Sequence, residues 1–322
     1  MSDKPVHYVF ALLNNFSLLS FASAVECLRI ANRMSGKPLY TWEVQSETGE
    51  QVKCSAGSVF APDSKFGELS RDDTVLVCAG LDVQGATTKA LLNWVRREAR
   101  KGLRIGGLCT GAHVLAKAGL LDGKRATIHW ENHDGFAEEF EEVTLTKSVF
   151  VVDGGRMTTA GGTSSIDLML KLIADGHGEE LANSVADQLI YSSIRTDQDT
   201  QRLSVPTRIG VRHPKLSQVI HMMEKNIEEP ISPAILAKDV GMSTRQLERL
   251  FRRYLNRSPK RYYMELRLQK ARNLLMQTDM SVINVALACG FSSPSHFSKC
   301  YRAQYGTTPY RERGTQGTRL PV

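Results

Sequence analysis

Apolar residues follow two different spacings along this chain of 322 residues. Up to about Tyr191, short apolar runs alternate with amphipathic segments. Val6–Leu13 and Thr74–Cys78 are apolar at nearly every position, as in strands that a parallel sheet buries on both faces. Phe21–Ala31 instead repeats apolar residues at helical spacing. This alternation of strands and helices predicts an open α/β sheet for the first part of the chain.

The other elements of this part continue the alternation. We predict further strands at Thr41–Glu47, Leu103–Leu108, Ala126–Ile128 and Phe150–Val152. We predict further helices at Thr87–Arg100, Ala112–Ala118, Ser165–Ala174 and Glu179–Tyr191. After Arg195 the periodicity fails, and Pro206 and Gly210 interrupt a run of polar residues, so we expect a linker at 196–212.

The second part of the chain is helical throughout and repeats itself. Ile235–Phe251 and Val285–Tyr301 each pass from a short apolar helix to a glycine, then to an apolar residue and a serine that can cap the next helix. Gly241 and Gly290 permit the left-handed backbone of a tight turn. The pattern predicts two helix-turn-helix units joined by a helix at Lys260–Leu275, with an ordinary helical bundle as the alternative.

The net charge of +7 is distributed unevenly. From Lys215 onward the chain holds 18 Lys and Arg against 8 Asp and Glu, whereas the preceding residues hold 23 against 26. Such asymmetry indicates a C-terminal part that binds a polyanion, attached to a part that does not.

The cysteines and histidines suggest no metal site. Cysteines at 27, 54, 78, 109, 289 and 300 form no C-x-x-C pair, so neither a disulfide framework nor a zinc site is indicated, and a reducing cytoplasm fits. His129 and His133 have the i, i+4 spacing of a metal pair but lack a third ligand nearby. We therefore expect no metal and no cofactor. No segment is long and apolar enough to span a membrane, and we expect a cytoplasmic protein.

Two motifs identify the repeated part. Ala-Cys-Gly-Phe-Ser-Ser-Pro-Ser-His-Phe-Ser-Lys (Ala288–Lys299) and Tyr-Gly-Thr-Thr-Pro-Tyr-Arg (Tyr305–Arg311) make residues 231–313 resemble the DNA-binding domain of AraC/XylS transcription regulators. The resemblance implies promoter DNA and RNA polymerase as partners, and a homodimer.

The faces of the two predicted recognition helices assign roles at the DNA. Residues opposite the apolar core face are expected to read base edges: Thr244, Arg245, Gln246 and Arg249 in the first helix, and Ser293, Ser295, His296 and Lys299 in the second. Residues expected to contact phosphates are Arg252, Arg253, Lys260 and Arg302.

An abrupt strand-to-helix turn at Cys109 is the main chemical feature of the first part. The sequence Gly106–Gly111 exposes a thiol at the carboxyl end of the predicted sheet, where open α/β sheets bind ligands. The positive end of the following helix is expected to lower the pKa of that thiol.

The surroundings of Cys109 resemble the DJ-1/PfpI superfamily, through Phe21–Asn32, Gly107–Gly119 and Ile128–Trp130. The resemblance implies a flavodoxin-like sandwich and a glutamate, here Glu26, that contacts the cysteine; a helix-surface carboxylate is the alternative. Hydrolytic members carry histidine after the nucleophilic cysteine, where this chain has Thr110. Cys109 is therefore expected to line an effector pocket or to be an inherited remnant, with a catalytic nucleophile as the alternative.

The order of the two domains resembles that of GlxA-type regulators, among them regulators of arginine, carnitine and glycine betaine catabolism. We place the candidate effector pocket at Glu26, Gly80, Cys109, Thr110, His129 and Trp130. Trp130 beside Glu131 suits a cation, unless Trp130 is plain core. The expected domains are 1–195 for effector sensing, the linker 196–212, 213–313 for DNA binding and a tail at 314–322. The predicted function is a ligand-responsive transcription activator; the alternative is a thiol hydrolase or amidase fused to a DNA-binding module.

Overall fold

The computed structural model describes residues 4–201 and 213–314. The chain divides into two compact units, the first reaching Gln201 and the second beginning at Arg202. Each unit has its own hydrophobic cores, so each is described by itself.

The first unit is built on a seven-stranded sheet with the order β10-β11-β7-β6-β1-β2-β5. All neighbouring strands are parallel except the edge pair β10 and β11. The strands of the unit are β1 Val6–Leu12, β2 Tyr40–Ser46, β3 Val52–Lys53, β4 Val59–Phe60, β5 Ser64–Lys65, β6 Thr74–Cys78, β7 Arg104–Leu108, β8 Arg125–Ala126, β9 Thr144–Leu145, β10 Phe150–Asp153 and β11 Arg156–Thr159.

Helices cover both faces of this sheet. They are α1 Leu18–Ser35, α2 Val83–Ala86, α3 Lys89–Arg100, α4 Gly111–Lys117, α5 His133–Glu139, α6 Ser164–His177 and α7 Glu179–Gln188, with a short 3-10 helix at Trp130–Asn132. Alternate residues of β1 enter different cores. Phe10 packs with α1 and α6, whereas Val9 and Ala11 pack with α3 and α4. The predicted α/β architecture is confirmed.

The end of the first unit differs from the sequence-based boundary. Residues 196–201 were predicted to belong to the linker, but they hydrogen-bond to the first unit. Val149 donates its backbone N–H to Asp199 (3.0 Å), and Gln201 donates its own to Lys147 (3.1 Å). These bonds extend the ordered unit to Gln201; residues 202–212 and 315–322, the rest of the predicted linker and of the tail, lie outside the described residues.

The second unit consists of short helices arranged around one long helix. They are α8 Pro214–Lys225, α9 Pro233–Asp239, α10 Thr244–Leu255, α11 Pro259–Gln277, α12 Val282–Ala288, α13 Pro294–Tyr305 and α14 Pro309–Gly314. One core contains Leu247 and Phe251 of α10, and the other contains Phe297 and Tyr301 of α13. Helix α11 joins them, because Tyr263 packs in the first core and Leu274 in the second.

The two turns form as the repeat predicts. Gly241 (φ +64°) and Gly290 (φ +73°) both adopt the left-handed conformation, and Ser243 and Ser293 cap the helices that follow. A cation from another helix binds each turn. Lys215 donates to the carbonyl of Gly241 (3.2 Å), and Arg267 donates to that of Gly290 (2.7 Å). The second unit therefore contains two helix-turn-helix motifs, α9–α10 and α12–α13.

Within the two described stretches, none of the helices has the length and apolar character needed to cross a lipid bilayer.

Candidate effector site and nucleic-acid interface

Cys109 lies directly after β7, at the carboxyl edge of the parallel sheet. Its φ is +59°, in the left-handed region that residues with a side chain rarely adopt. The backbone N–H of Cys109 donates to Thr159 Oγ1 at the end of β11 (3.2 Å). This conformation turns the chain sharply into α4, as predicted. The thiol is almost fully buried, at 8 % exposure, so the expectation of an exposed thiol is wrong.

The residues around this thiol come from the ends of neighbouring strands. Thr110 donates its hydroxyl to the carbonyl of Gly80 after β6 (2.7 Å). A side chain at Gly80 would overlap the carbonyl of Asn15, which a Cβ would approach to 2.3 Å. Gly161 lies against the thiol itself, because a Cβ at this position would be 2.7 Å from Cys109 Sγ. Three of the predicted pocket residues, Gly80, Cys109 and Thr110, therefore do lie together.

The Cys109 thiol is protonated at neutral pH. Burial raises its pKa to about 11; a hydrogen bond from the Thr110 backbone opposes the shift, and the negative charge of Glu131 adds to it. The expectation that the start of α4 lowers this pKa is therefore wrong, because desolvation of the thiolate outweighs the helix end.

Glu26 makes its recorded hydrogen bonds to a neighbour on its own helix. Arg29 donates from Nε to both oxygens of Glu26 at 3.0 Å and from Nη2 to Oε2 at 2.5 Å. The hydrogen bonds from Arg29 lower the pKa of Glu26. The carboxylate is about half exposed, which matches the helix-surface alternative and leaves no hydrogen bond from Glu26 to Cys109 among the described residues.

The segment His129–Glu131 supplies the charged and aromatic groups near the thiol. The His129 Nδ1 accepts the Glu131 backbone N–H at 3.4 Å, and the His129 and Trp130 rings lie 5.7 Å apart. Burial lowers the pKa of His129, and the Glu131 charge only partly offsets it. Trp130 is 38 % exposed, so it is not plain core. Within residues 4–201 and 213–314 no three His, Cys, Asp or Glu side chains converge on a metal site.

Sequence reasoning assigned neither Asn15 nor Gly161 to this edge, and it did not single out His113 on the helix that follows Cys109. Asn15 has a positive φ of +61° and presents its carbonyl to Gly80. His113, on α4, is buried with its Nδ1 3.8 Å from Glu139 Oε2. Gly161 was noted in the sequence as part of a Gly-Gly-Thr phrase (161–163) that contributes to the resemblance to GlxA-type regulators, but it was not assigned to the pocket. Asn14-Asn15 after the first strand was the one available signal for the first of these.

Acidification is expected to destabilise the first unit through His113. Burial lowers the pKa of His113 to about 4, whereas in the unfolded chain it returns to its ordinary value near 6.5. Between these values the unfolded state binds the extra proton, so stability falls as the pH drops. From pH 7 to pH 5 this residue should remove about 2 kcal/mol of unfolding free energy.

His113→Leu should flatten that part of the pH dependence, and His177→Leu in the same unit serves as its control. All three tryptophans (Trp42, Trp94 and Trp130) lie in the first unit, so denaturant unfolding followed by tryptophan fluorescence reports on it. An unchanged loss of stability in the His113 variant would contradict the assignment.

The predicted DNA-reading residues of the second unit form two exposed rows. Every candidate in α10, α13 and their caps is exposed, as is Lys260, while Leu247, Phe251, Phe297 and Tyr301 behind them are buried. In the described part of the chain the guanidinium groups of Arg245 and Arg249 make no hydrogen bond or ion pair. They are therefore available to a ligand.

Gln246 is less available than predicted. Its Oε1 accepts the backbone N–H of Ser243 at 2.8 Å, while Ser243 Oγ accepts the N–H of Gln246 at 3.2 Å. This reciprocal pair is a capping box, which stabilises the start of α10. A bidentate contact with adenine would have to break this pair, so Arg245 and Arg249 are better placed than Gln246 to donate to a base edge.

The second recognition helix presents a different surface. His296 Nε2 lies 3.3 Å from Cys300 Sγ, which occupies one edge of the imidazole. Lys299 and Arg302 line an open groove of about 500 Å³ together with Ser298, Ala303 and Thr308. Two cations and two hydroxyls around one groove suit a phosphate better than a base edge.

Comparison with known proteins identifies a family for each of the two units. Residues 9–175 match the model of the DJ-1/PfpI family, and residues 236–314 match a helix-turn-helix domain. The chain is 48 % identical to the HTH-type transcriptional regulator CdhR of Pseudomonas aeruginosa, covering 97 % of this chain and 93 % of that protein. It is 40 % identical to the HTH-type transcriptional regulator GlxA of Rhizobium meliloti, covering 96 % of both.

The chain belongs to the HTH-type transcriptional regulators that join a DJ-1/PfpI domain to an AraC-type helix-turn-helix domain. Solved structures show the fold of the first unit of this regulator. An AraC family transcriptional regulator from Pseudomonas putida superposes with a TM-score of 0.51 at 29 % identity, covering 57 % of this chain and all of that one. Drosophila melanogaster DJ-1beta gives 0.50 at 22 % identity, covering 59 % of this chain and all of that one.

Proposed function

We propose that the regulator is a cytoplasmic, ligand-responsive transcription activator that binds promoter DNA as a homodimer and acts with RNA polymerase. The observation that carries the proposal is the pair of serine-capped helices, α10 and α13, each exposing cations opposite a buried helix-turn-helix core. The first unit supplies the response, because its sheet edge at Cys109 has the position at which open α/β sheets bind ligands.

The effector is a small metabolite that carries a cationic group. Trp130 offers a partly exposed ring, and the carboxylate of Glu131 is close enough to raise the pKa of the Cys109 thiol. A ring face beside a negative charge attracts an ammonium or guanidinium ion. The sequence resemblance to regulators of carnitine, glycine betaine and arginine catabolism fits this chemistry, since each of those compounds carries a cationic group.

A melting screen tests the effector class. Glycine betaine, L-carnitine and L-arginine are added separately to the purified full-length protein, and unfolding is followed by tryptophan fluorescence. A compound that binds only the folded state at 100 times its dissociation constant stabilises it by about 2.7 kcal/mol. Trp130→Ala should abolish the shift. Succinate, an anion of similar size, is the control compound, and a shift with succinate alone would contradict a cation-binding site.

Deleting residues 1–205 should separate the two activities. The remaining chain should bind DNA but no longer respond to the compound that shifts the melting temperature, since an effector alters DNA binding only through its differential affinity for the two states. A response retained by this shortened protein would show that sensing lies outside the first unit.

A thiol hydrolase fused to a DNA-binding module is the alternative. A thiolate nucleophile needs a base within hydrogen-bonding reach, and no imidazole lies that close to Cys109 among the described residues. Cys109 is also protonated, since burial raises its pKa to about 11. These features favour a pocket residue that is not a nucleophile, and we propose that the regulator is not an enzyme.

Cys109→Ser should therefore leave folding and DNA binding unchanged and alter only the response to the effector. Simple amides, esters and α-oxoaldehydes should not be turned over by the unaltered protein. Rapid stoichiometric acylation of Cys109 by an ester would instead establish a working nucleophile.

A further inference from the structure

Residues Arg195–Gln201, called here the exit segment, are the last described residues before the second unit. All of them except Arg195 were predicted to be linker, yet both ends are bound to the first unit. One end holds the start of α6 and the other holds the strand that leads to His129. Gly161, just before α6, lies against the Cys109 thiol, and the charge of Glu131, two residues after His129, acts on that thiol. The exit segment therefore contacts two elements that contribute to the candidate effector site.

The Arg195 end is bound by a buried carboxylate. Arg195 donates from Nε and Nη2 to Asp167 Oδ2 (2.9 and 2.6 Å) and from its backbone N–H to Oδ1 (2.8 Å). Its Nη2 also donates to Thr163 Oγ1 (2.8 Å). Thr163 follows the Gly161-Gly162 pair, and Gly161 lies against the Cys109 thiol. Arg195 therefore fixes the wall that Gly161 forms.

The Gln201 end is bound by its side-chain amide. Nε2 donates to the carbonyl of Ile128 (2.9 Å), to that of Ser148 (3.1 Å) and to Thr127 Oγ1 (2.8 Å). An antiparallel bridge between Ser148 and Thr200 supports this arrangement. Ile128 is buried and comes directly before His129 and Trp130, so a single side chain joins the aromatic wall of the site to the last described residue of the first unit.

We infer that Gln201 is the positioning residue that couples the effector site to the DNA-binding unit. The inference rests on the proposed function, because it takes the site at Cys109 and Trp130 to be where the effector binds. An effector that moves His129–Glu131 also moves the Ile128 carbonyl, and the Gln201 amide must follow it or lose the bond. Gln201 is the last described residue of the first unit, so a shift of its side chain and backbone changes the point from which the chain leaves that unit.

A substitution that keeps the size of the side chain tests whether the Gln201 amide couples effector binding to DNA affinity or only holds the end of the first unit in place. Gln201→Glu replaces the donating amide nitrogen with an oxygen that faces the carbonyls of Ile128 and Ser148. Gln198→Glu makes the same chemical change three residues earlier, where the side chain is exposed and bonds only to Asp197 among the described residues (3.3 Å). Both variants carry the same net charge, so their difference isolates the Gln201 contacts.

The affinity of the full-length protein for a DNA site obtained by binding-site selection is measured with and without effector. The effector used is whichever of glycine betaine, L-carnitine and L-arginine (the panel) shifts the melting temperature. We expect that compound to change the affinity of the wild type and the Gln198 variant by about 5- to 150-fold, and that of the Gln201 variant by less than about twofold. Melting temperatures within a few degrees of wild type confirm that the Gln201 variant is folded; Gln201→Ala takes its place if it is not. An undiminished response in a folded Gln201 variant overturns the inference.

A double-mutant cycle tests the coupling without any ligand. Trp130→Ala perturbs the site directly, and its effect on DNA affinity is compared in the wild-type and Gln201→Ala backgrounds. The inference requires an effect that exceeds about threefold in the first background and disappears in the second, since residues that act through one network are not additive. Equal effects, or no effect in either background, would refute the coupling. If no panel compound binds, the proposed effector class fails and this cycle alone decides the inference.

Discussion

Gly290→Ala should unfold the second helix-turn-helix motif and abolish DNA binding. Gly290 has a φ of +73°, and a Cβ there would lie 2.6 Å from the carbonyl oxygen of Ile227 and 2.8 Å from that of Glu228. Both contacts are with backbone, which cannot move aside as a flexible side chain can. Left-handed strain and overlap together should cost at least about 4 kcal/mol, in the range of the most damaging single substitutions.

The first motif provides a matched control. Gly241 has nearly the same φ, +64°, but the nearest atom to an added Cβ is Lys215 Nζ at 3.7 Å, the end of a flexible side chain. Gly241→Ala should therefore cost only the left-handed strain, about 1–2 kcal/mol. Unfolding of the second unit followed by circular dichroism, together with DNA binding by gel shift, compares the two variants. Equal losses would show that the close approach of Gly290 to the Ile227–Glu228 loop is unimportant.

The sequence predicted the helix-turn-helix motifs well because their determinants are local. A glycine in the left-handed conformation, a serine cap and an apolar pair such as Leu247 and Phe251 all lie within one short stretch. The same holds for the turn at Cys109 and for the buried strands of the first unit except β11, which was not predicted. The two-residue strands β3, β4, β5 and β9 were missed, because such short segments carry no readable alternation.

Features that depend on distant neighbours could not be predicted in this way. The Cys109 thiol has a raised pKa because it is desolvated by other strands, whereas the sequence shows only the helix that follows it. Gln201 lies in a polar run that resembles a linker, yet it hydrogen-bonds 73 residues back to Ile128. By contrast, the capping box of Gln246 could have been predicted, because its partner Ser243 lies only three residues earlier in the sequence. We instead predicted that Gln246 contacts a base.

Arg249→Ala should weaken binding to the preferred site by about 1–3 kcal/mol and relax base preference at one or two adjacent base pairs. Arg249 is exposed and, in the described chain, without a hydrogen bond or ion pair. It lies on the face of α10 opposite the buried Leu247 and Phe251, and its planar guanidinium can donate two parallel hydrogen bonds to a guanine. Gln246 is held in the capping box, so we expect this arginine and Arg245 to carry most of the direct base reading by the first motif.

Arg253→Ala is the comparison variant from the same helix. Arg253 lies 5.3 Å from the ring of Tyr254 and is expected to contact the phosphate backbone. Its loss should weaken binding to all DNA sequences alike. It should also reduce by about one the slope of the logarithm of the binding constant against the logarithm of the salt concentration. Binding-site selection with both variants and the wild type distinguishes the roles. The wild type should select DNA with two half-sites, one for each helix-turn-helix motif, whose centres are separated by roughly 10 base pairs, one turn of DNA. An unchanged selected motif for Arg249→Ala would show that α10 does not read bases through this residue.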